Sequence, residues 1–313
     1  MNNKLNNLME KYKLSWQEPV ITELEFSRQN LQQLNYISFP WATIIDLKFN
    51  NPKLNISSLL DEIKKIIISY KIPKSKYFTC CQHIKYYELL DFFSSIGLKT
   101  LYISHKSFFI DTYNNIKLIA IPLYAVNIES PERNIIYLNN KDSLLEKNRE
   151  YLLSFQGTYT DKYISNIRKQ IVDFNWPDNC FVKKTQQWHF QNEVYKLNKG
   201  KLCDDDQLNE DKISYNELLL TSRFSLCPSG TGPNSIRFWE SLAFGSIPIL
   251  IADTLELPEH DFWKVSILRI KEKDLEFLLD ILEKIPEELE TQMRKNCLFM
   301  YEYFKHNYGN FKY

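Results

Sequence analysis

Glycine is scarce in this chain, with seven in 313 residues, which excludes a collagen-like period or a glycine-rich low-complexity fold. Charge of one sign is also missing. With 39 Lys and Arg against 39 Asp and Glu, the formal charge is zero, and composition gives no reason to expect a nucleic-acid partner. No stretch approaches about 20 apolar residues, and the start, MNNKLNNLMEKYKLS, has no signal-peptide core. These absences predict a soluble, cytoplasmic protein with no transmembrane segment, any membrane contact being peripheral. The six cysteines (Cys80, Cys81, Cys180, Cys203, Cys227, Cys297) show no C-x-x-C spacing, so reduced thiols serving as small apolar fillers are expected.

What is present suits two packed cores. Hydrophobic residues make up 44% and aromatics 14%, and 313 residues exceed the usual domain of about 100–200. The most informative stretch is Phe224 to Asp253, FSLCPSGTGPNSIRFWESLAFGSIPILIAD. Phe224 to Cys227 is an apolar run closed by Pro228, and Ser229, Gly230, Thr231 and Gly232 open a loop that ends at Asn234. Ile236, Trp239, Leu242 and Ala243 recur at helical spacing; Asn234 or Ser235 suits the cap and Gly245 the stop. Ile247 to Ala252 then reads as a buried strand.

In such a strand-loop-helix-strand unit the loop and first-turn N–H groups converge where the helix dipole favours an anion, which suits a phosphate. Arg237 and Glu240 lie three apart, on a face distinct from the apolar stripe. Two readings fit that spacing. One is a surface ion pair on an ordinary amphipathic helix. The other is a cation meeting a diphosphate, with a carboxylate one turn on accepting from the hydroxyls of a ribose.

Elsewhere the chain alternates. Val20 to Phe26 is a strand candidate, and FPWATIIDLKF suggests a strand ending at Asp46. Tyr77 to Cys81 reads as a strand leading into Gln82-His83, Leu101 to Ser104 as a strand ending at His105, and Ile116 to Tyr124 as a fourth. Helices are expected at Leu59 to Ile68 and Tyr86 to Ile96. This pattern predicts a parallel sheet, whose carboxyl ends would bring Asp46, His83 and His105 to one crevice. Each has a plainer reading, Asp46 as a cap and the histidines as satisfied structural residues. From Arg149 a second alternation begins, with a strand at Tyr151 to Phe155, a tight loop through Gly157, and a helix carrying Arg168. Trp188 to Leu197 is a further strand or short helix. Asp204 to Asp206 fits a D-x-D metal pattern but lies in a polar run, so a solvated acidic loop is expected there and no metal.

From Ser222 to Pro258 the chain resembles, without a gap, the C-terminal signature of the exostosin-like glycosyltransferases, family 47. That pattern runs roughly S-K/R-F-x-L-x-P-x-G, then S-x-R-x-x-E-A-x-x-x-G-x-I-P-V-x-I-x-D, then L-P. CQHI at 81–84 and SH at 104–105 are similar to segments of bacterial members. The resemblance implies an α/β fold of GT-B architecture, two Rossmann-like domains facing a central cleft. It divides the chain into 1–148 on the acceptor side, 149–293 on the nucleotide-sugar side, and a helix, 294–313, crossing back.

The resemblance also implies inverting transfer from a nucleotide-diphosphate sugar, usually UDP in this family, to a glycan acceptor in polysaccharide or glycoconjugate synthesis, with no cofactor or metal. Many relatives carry arginine where this chain has Ser229, so the phosphate contact falls to Arg168, Arg223 or Arg237. With Gly157, Ser229, Gly230, Thr231, Gly232, Ser235 and Glu240 these make the expected donor site. The base would come from the N-terminal half: Asp46 first, then His83 as acceptor-orienting partner or as the base itself, then His105. A GDP-sugar fucosyltransferase-like GT-B enzyme and a non-catalytic sugar- or nucleotide-binding relative are the other classes that fit.

Overall fold

Short apolar runs separated by polar loops give nine strands among the described residues, which in this computed structural model are 1–18, 20–51, 55–70, 76–185 and 214–307. The chain divides into two units, Met1–Leu123 with Thr254–Glu259, and Tyr124–Asp253 with His260–His306.

The first unit holds Phe78–Cys81 (β1), Thr100–Ile103 (β2), Thr112–Tyr113 (β3) and Ile116–Ala120 (β4), in the sheet order β1-β2-β4-β3. β1, β2 and β4 run parallel, with Phe78 opposite Thr100 and Thr100 opposite Lys117. β3 returns along β4 through Asn114 and Asn115, both at positive φ (44° and 65°), the conformation a tight two-residue hairpin requires and asparagine tolerates. Tyr36 extends the parallel pairing past β1 by one bridge to Phe78.

Two segments read as strands are helices. Thr22–Asn30 buries Glu23, Phe26, Ser27 and Asn30, a helical face made largely of polar residues. Trp41–Asn50 buries Trp41, Ala42, Ile44 and Ile45, an i, i+1, i+3, i+4 stripe, with Trp41 donating to the Thr79 hydroxyl at 2.7 Å and meeting Phe93 edge-on at 5.0 Å. Asp46 therefore sits on a helix and not at the carboxyl end of a strand.

Glu23 joins these helices to β1. Its carboxyl accepts from the first-turn N–H of Ala42 at 3.0 Å and from Gln82 N–H at 3.0 Å, answering donors that a helix start leaves open. The side chain is 1% exposed, and burial pushes its carboxyl up to about 8. A folded value above the ordinary one means that folding takes up a proton, so the stability present below about pH 4.5 is lost as pH rises towards about 8. Glu23→Gln should remove that dependence. In denaturant melts at pH 6, 7 and 8 the wild type should fall relative to the variant by about 1.4 kcal/mol per pH unit, and parallel curves would refute the assignment.

The second unit holds Tyr151–Gly157 (β5), Cys180–Lys184 (β6), Ser222–Pro228 (β7), Ile247–Ile251 (β8) and Leu268–Arg269 (β9), all parallel, in the order β6-β5-β7-β8-β9. β8 (IPILI) is buried throughout and reads as a continuous apolar run, while β7 (SRFSLCP) is buried at all but Arg223 and carries Ser222 and Ser225 among its apolar residues. Gly245, at φ 61°, ends the Ile236–Phe244 helix in the left-handed conformation glycine adopts freely. The long Glu287–His306 helix lies on that helix, with Phe304 stacked on Trp263 at 5.2 Å and meeting Trp239 edge-on.

Residues 124–148, expected with the first half, belong to the second unit. Arg149 and Arg294 both donate to Leu144 O, and Asn127 N–H reaches Glu240 at 3.0 Å. The C-terminal helix stays with the second unit through His306. Residues 308–313, like Trp188 to Leu197 and Asp204 to Asp206, lie outside the described residues.

Candidate functional site

Numbered along the chain, the second sheet has the order 2-1-3-4-5, which reverses between β5 and β7. Open parallel sheets bind ligands just beyond the carboxyl ends of the two strands at such a reversal. β5 ends there at Gly157 and β7 at Pro228, followed by Ser229 and Gly230. The helix after β5, Ile167–Asp173, brings Arg168, and the helix after β7 brings Arg237.

The two guanidiniums converge. Arg168 Nε donates to Ser229 O at 2.8 Å and Nη1 to Thr158 O at 3.3 Å, while Arg237 Nη2 donates to Gln156 O. Arg168 lies 4.9 Å from the Tyr163 ring; Arg237 lies 4.9 Å from Phe155 and 5.0 Å from Tyr215. Both glycines allow this approach. A Cβ on Gly230 would come within 2.9 Å of Arg168 Nη2, and one on Gly157 within 3.4 Å of Arg237 Nη2 and 3.5 Å of Arg168 Nη1.

Their hydrogen bonds run to backbone carbonyls and their faces to aromatic rings, so neither charge is neutralised by a bonded carboxylate among the described residues. Burial is the main cause that pushes Arg168 down to about 10, and the Arg237 charge adds to it. Arg237 Nη1 is buried with no hydrogen-bond partner in the described structure. Ser235 holds the N-cap position of the Ile236–Phe244 helix in an extended conformation and makes no side-chain cap, while the first-turn Phe238 N–H donates to the Ser235 carbonyl at 3.0 Å. The loop between is closed on itself, Gly230 N–H donating to Gly232 O at 2.9 Å, with Thr231 exposed at its tip. The Ser229 hydroxyl sits between Ser165 Oγ at 3.0 Å and Glu272 Oε1 at 3.1 Å.

Two expected donor residues are elsewhere. Arg223 lies near the start of β7, six residues and roughly 20 Å from Ser229 at about 3.3 Å per strand residue. It forms a two-pronged ion pair with Glu290. Glu240 is 1% exposed; Oε1 accepts from Asn127 N–H at 3.0 Å and Oε2 from the Tyr215 hydroxyl at 2.7 Å. It braces the Tyr215 ring against which Arg237 rests. Burial raises its carboxyl from the ordinary value, opposed by these bonds and by Arg237. Glu240→Ala would strand a buried N–H and a buried phenol, so a loss of about 2–4 kcal/mol in folding stability is expected in urea melts. An unchanged midpoint would show that these bonds do not matter.

In the first unit, Asp46 and His83 meet. Asp46 Oδ1 is 3.1 Å from His83 Nε2, and Oδ2 accepts from Gln17. His83 Nδ1 accepts from Lys85 N–H at 3.0 Å. The pair is brought together by a helix and by the loop after β1, not by two strand ends. His105 follows β2; burial, with His83 adding, pushes its imidazole down to about 3, so it is neutral, and Nδ1 has no partner in the described structure.

Sequence reasoning missed Phe155, Tyr163 and Tyr215, whose rings flank the arginines, and Gln17 beside Asp46. No spacing rule marks an aromatic that will face a distant guanidinium. Among the described residues no group of His, Cys, Asp and Glu gathers as metal ligands, and no helix is long and apolar enough to cross a membrane.

Residues 96–285 match the Exostosin GT47 domain family, a span that includes both arginines and both glycines and leaves out Asp46 and His83. The chain is similar to the Exostosin-1 homolog of Caenorhabditis elegans, 27% identical over 182 residues, 57% of this chain and 45% of the relative. It is similar to Exostosin-1 of Drosophila melanogaster, 30% identical over 159 residues, covering 50% of this chain and 20% of the relative. A probable beta-1,4-xylosyltransferase of Arabidopsis thaliana is 38% identical over 86 residues, 27% of this chain and 21% of the relative. The chain thus spans less than half the length of these relatives.

Proposed function

The chain belongs to the exostosin GT47 family, and from that membership we propose a glycosyltransferase that moves a sugar from a nucleotide-diphosphate donor, a UDP-sugar in the first instance, to a glycan acceptor. The observation that carries this reading is the pair Arg168 and Arg237, one partly buried and one buried cation that converge at Gly157 where the strand order reverses, with Gly230 against Arg168. A diphosphate is the complementary charge. Its departure would be stabilised by the guanidiniums and the helix dipole, with no metal.

The chemistry is one displacement. The acceptor hydroxyl oxygen bonds to the anomeric carbon as the bond from that carbon to the diphosphate oxygen breaks. The diphosphate leaves with the electron pair, the hydroxyl proton passes to Asp46, and configuration inverts because attack comes from the face opposite the leaving group. The finer parts of the reading are the GT-B arrangement of the two Rossmann-like units, a cytoplasmic site of action, and a role in polysaccharide or glycoconjugate synthesis, the last suggested by the names of the relatives.

Calorimetry with UDP and with GDP, followed by UDP release from UDP-xylose, UDP-glucose and UDP-glucuronic acid, tests it. UDP binding together with release that needs an acceptor glycan is expected. Binding of GDP alone would favour the fucosyltransferase-like class, binding without any transfer would favour a non-catalytic relative, and binding of neither would overturn the reading.

A further inference from the structure

A run of side-chain hydrogen bonds beside Asp46 goes unused in the reaction above. Gln17 lies between the helices Asn2–Tyr12 and Thr22–Asn30, and its Nε2 donates to Asp46 Oδ2. Its Oε1 accepts from Gln82 Nε2 at 2.8 Å. Gln82 is itself tied down, its Nε2 donating also to Val20 O at 2.6 Å and its Oε1 accepting from Glu23 N–H at 2.9 Å. Because Gln82 presents an amide N–H to Gln17, the carbonyl of Gln17 must face Gln82 and its NH2 must face Asp46, so the orientation of that amide is set by its neighbours.

The other oxygen of Asp46 is fixed in the same way. Lys85 N–H can only donate, so His83 Nδ1 is the acceptor, Nε2 carries the proton, and that proton points at Asp46 Oδ1. Both donors to the carboxylate are neutral. A lysine or arginine there would hold Asp46 equally well but would stabilise its ionised form far more and weaken it as a base. Burial pushes the Glu23 carboxyl, which accepts from Gln82 N–H, up to about 8.

We propose that Gln17 is a positioning residue: with the His83 Nε2 proton it clamps both oxygens of Asp46, stops the carboxylate rotating on its partly exposed helix face, and leaves each oxygen a lone pair for the acceptor proton. The inference rests on the reading of Asp46 as the base. General-base transfer tolerates errors of only about 0.5 Å and 10–20°, which a partly exposed carboxylate held by one bond does not keep unaided.

The test uses the full chain with 15N-labelled histidine. In the wild type His83, assigned by its loss in His83→Ala, should show the Nε2–H tautomer with a slowly exchanging proton. In Gln17→Met, which keeps length but cannot donate, exchange of that proton should speed at least tenfold while UDP affinity stays within twofold. With whichever UDP-sugar the wild type uses, kcat should fall about 10- to 100-fold at unchanged donor KM. Gln17→Glu, which keeps the shape and the Gln82 contact but places a carboxylate against Asp46, should be at least as impaired; a merely space-filling role predicts that it is the milder change. A wild-type His83 in the Nδ1–H form, or unchanged exchange in both variants, overturns the clamp. The imidazole signal needs no turnover, so a failure of the donor assignment would be seen separately from a failure of this one.

Discussion

Replacing Arg168 and Arg237 together with alanine is expected to raise the Kd for UDP by about 10² to 10⁴ while leaving a folded protein. Each guanidinium lost from a diphosphate removes a charge-assisted interaction of about 1.5–3 kcal/mol, and every 1.4 kcal/mol is tenfold in affinity. The two cannot be treated as independent. Arg168 is pushed down in part by the charge of Arg237, so removing one relieves the other, and the single variants should sum to something other than the double. A full double-mutant cycle by calorimetry measures that coupling. Salt supplies a second check, because a site built on two cations should lose affinity steeply between 50 and 500 mM NaCl. A folded double variant that binds UDP within threefold of the wild type would remove this arginine pair from the donor site.

How much of this was legible in the residues depended on which physical signal each element carries. β5, β7 and β8 and the helix from Ile236 announce themselves because buried parallel strands are rich in apolar residues, β8 without a break, and the helix has an apolar stripe ended by Gly245. Thr22–Asn30 gave the opposite case. Its buried face carries Glu23, Ser27 and Asn30, paid for by hydrogen bonds such as Ser27 to Ser38, and a hydropathy pattern cannot show a polar face that the fold chooses to bury. Trp41–Asn50 is a helix where a strand is expected for a third reason. The apolar residues of WATIID, Trp41, Ala42, Ile44 and Ile45, suit a strand as well as a helix, and only the spacing of Trp41 from Ile44 and Ile45 marks the helical period.

The site residues divide along the same line. Gly157, Gly230, Arg168 and Arg237 are readable as a group once the strand-loop-helix units are recognised, since each lies at a fixed offset from a strand end. Arg223 could have been set aside by counting residues up its strand. Glu240 shares its helix with Arg237, yet its partners Asn127 and Tyr215 come from distant parts of the chain that no local pattern connects. Asp46 and His83 do come together as expected, although the route there differs, Asp46 arriving on a helix and His83 on the loop after β1.

Asp46→Asn should lower kcat by about 10² to 10⁴ without changing UDP affinity, and the geometry explains why His83→Ala should cost less. Both ring nitrogens of His83 are committed, Nδ1 to the Lys85 N–H and Nε2–H to Asp46, so the imidazole has no lone pair left for an acceptor hydroxyl unless it first gives up a backbone bond. Asp46 has two oxygens with one bond to each, and a carboxylate has room for more acceptor contacts than that. The base is therefore the carboxylate and the imidazole is its holder. His83→Ala should then lose roughly one to two decades in kcat, the scale of a positioning contact, against the two to four of the base itself. Asparagine in place of Asp46 keeps the shape but presents an amide that takes up no proton, so chemistry should stop where binding does not. Asp46 and His83 lie in the first unit and the arginines in the second, which makes UDP affinity a clean internal control for both variants. If His83→Ala proves the more damaging of the two, the imidazole rather than the carboxylate receives the proton, and the roles assigned to this pair reverse.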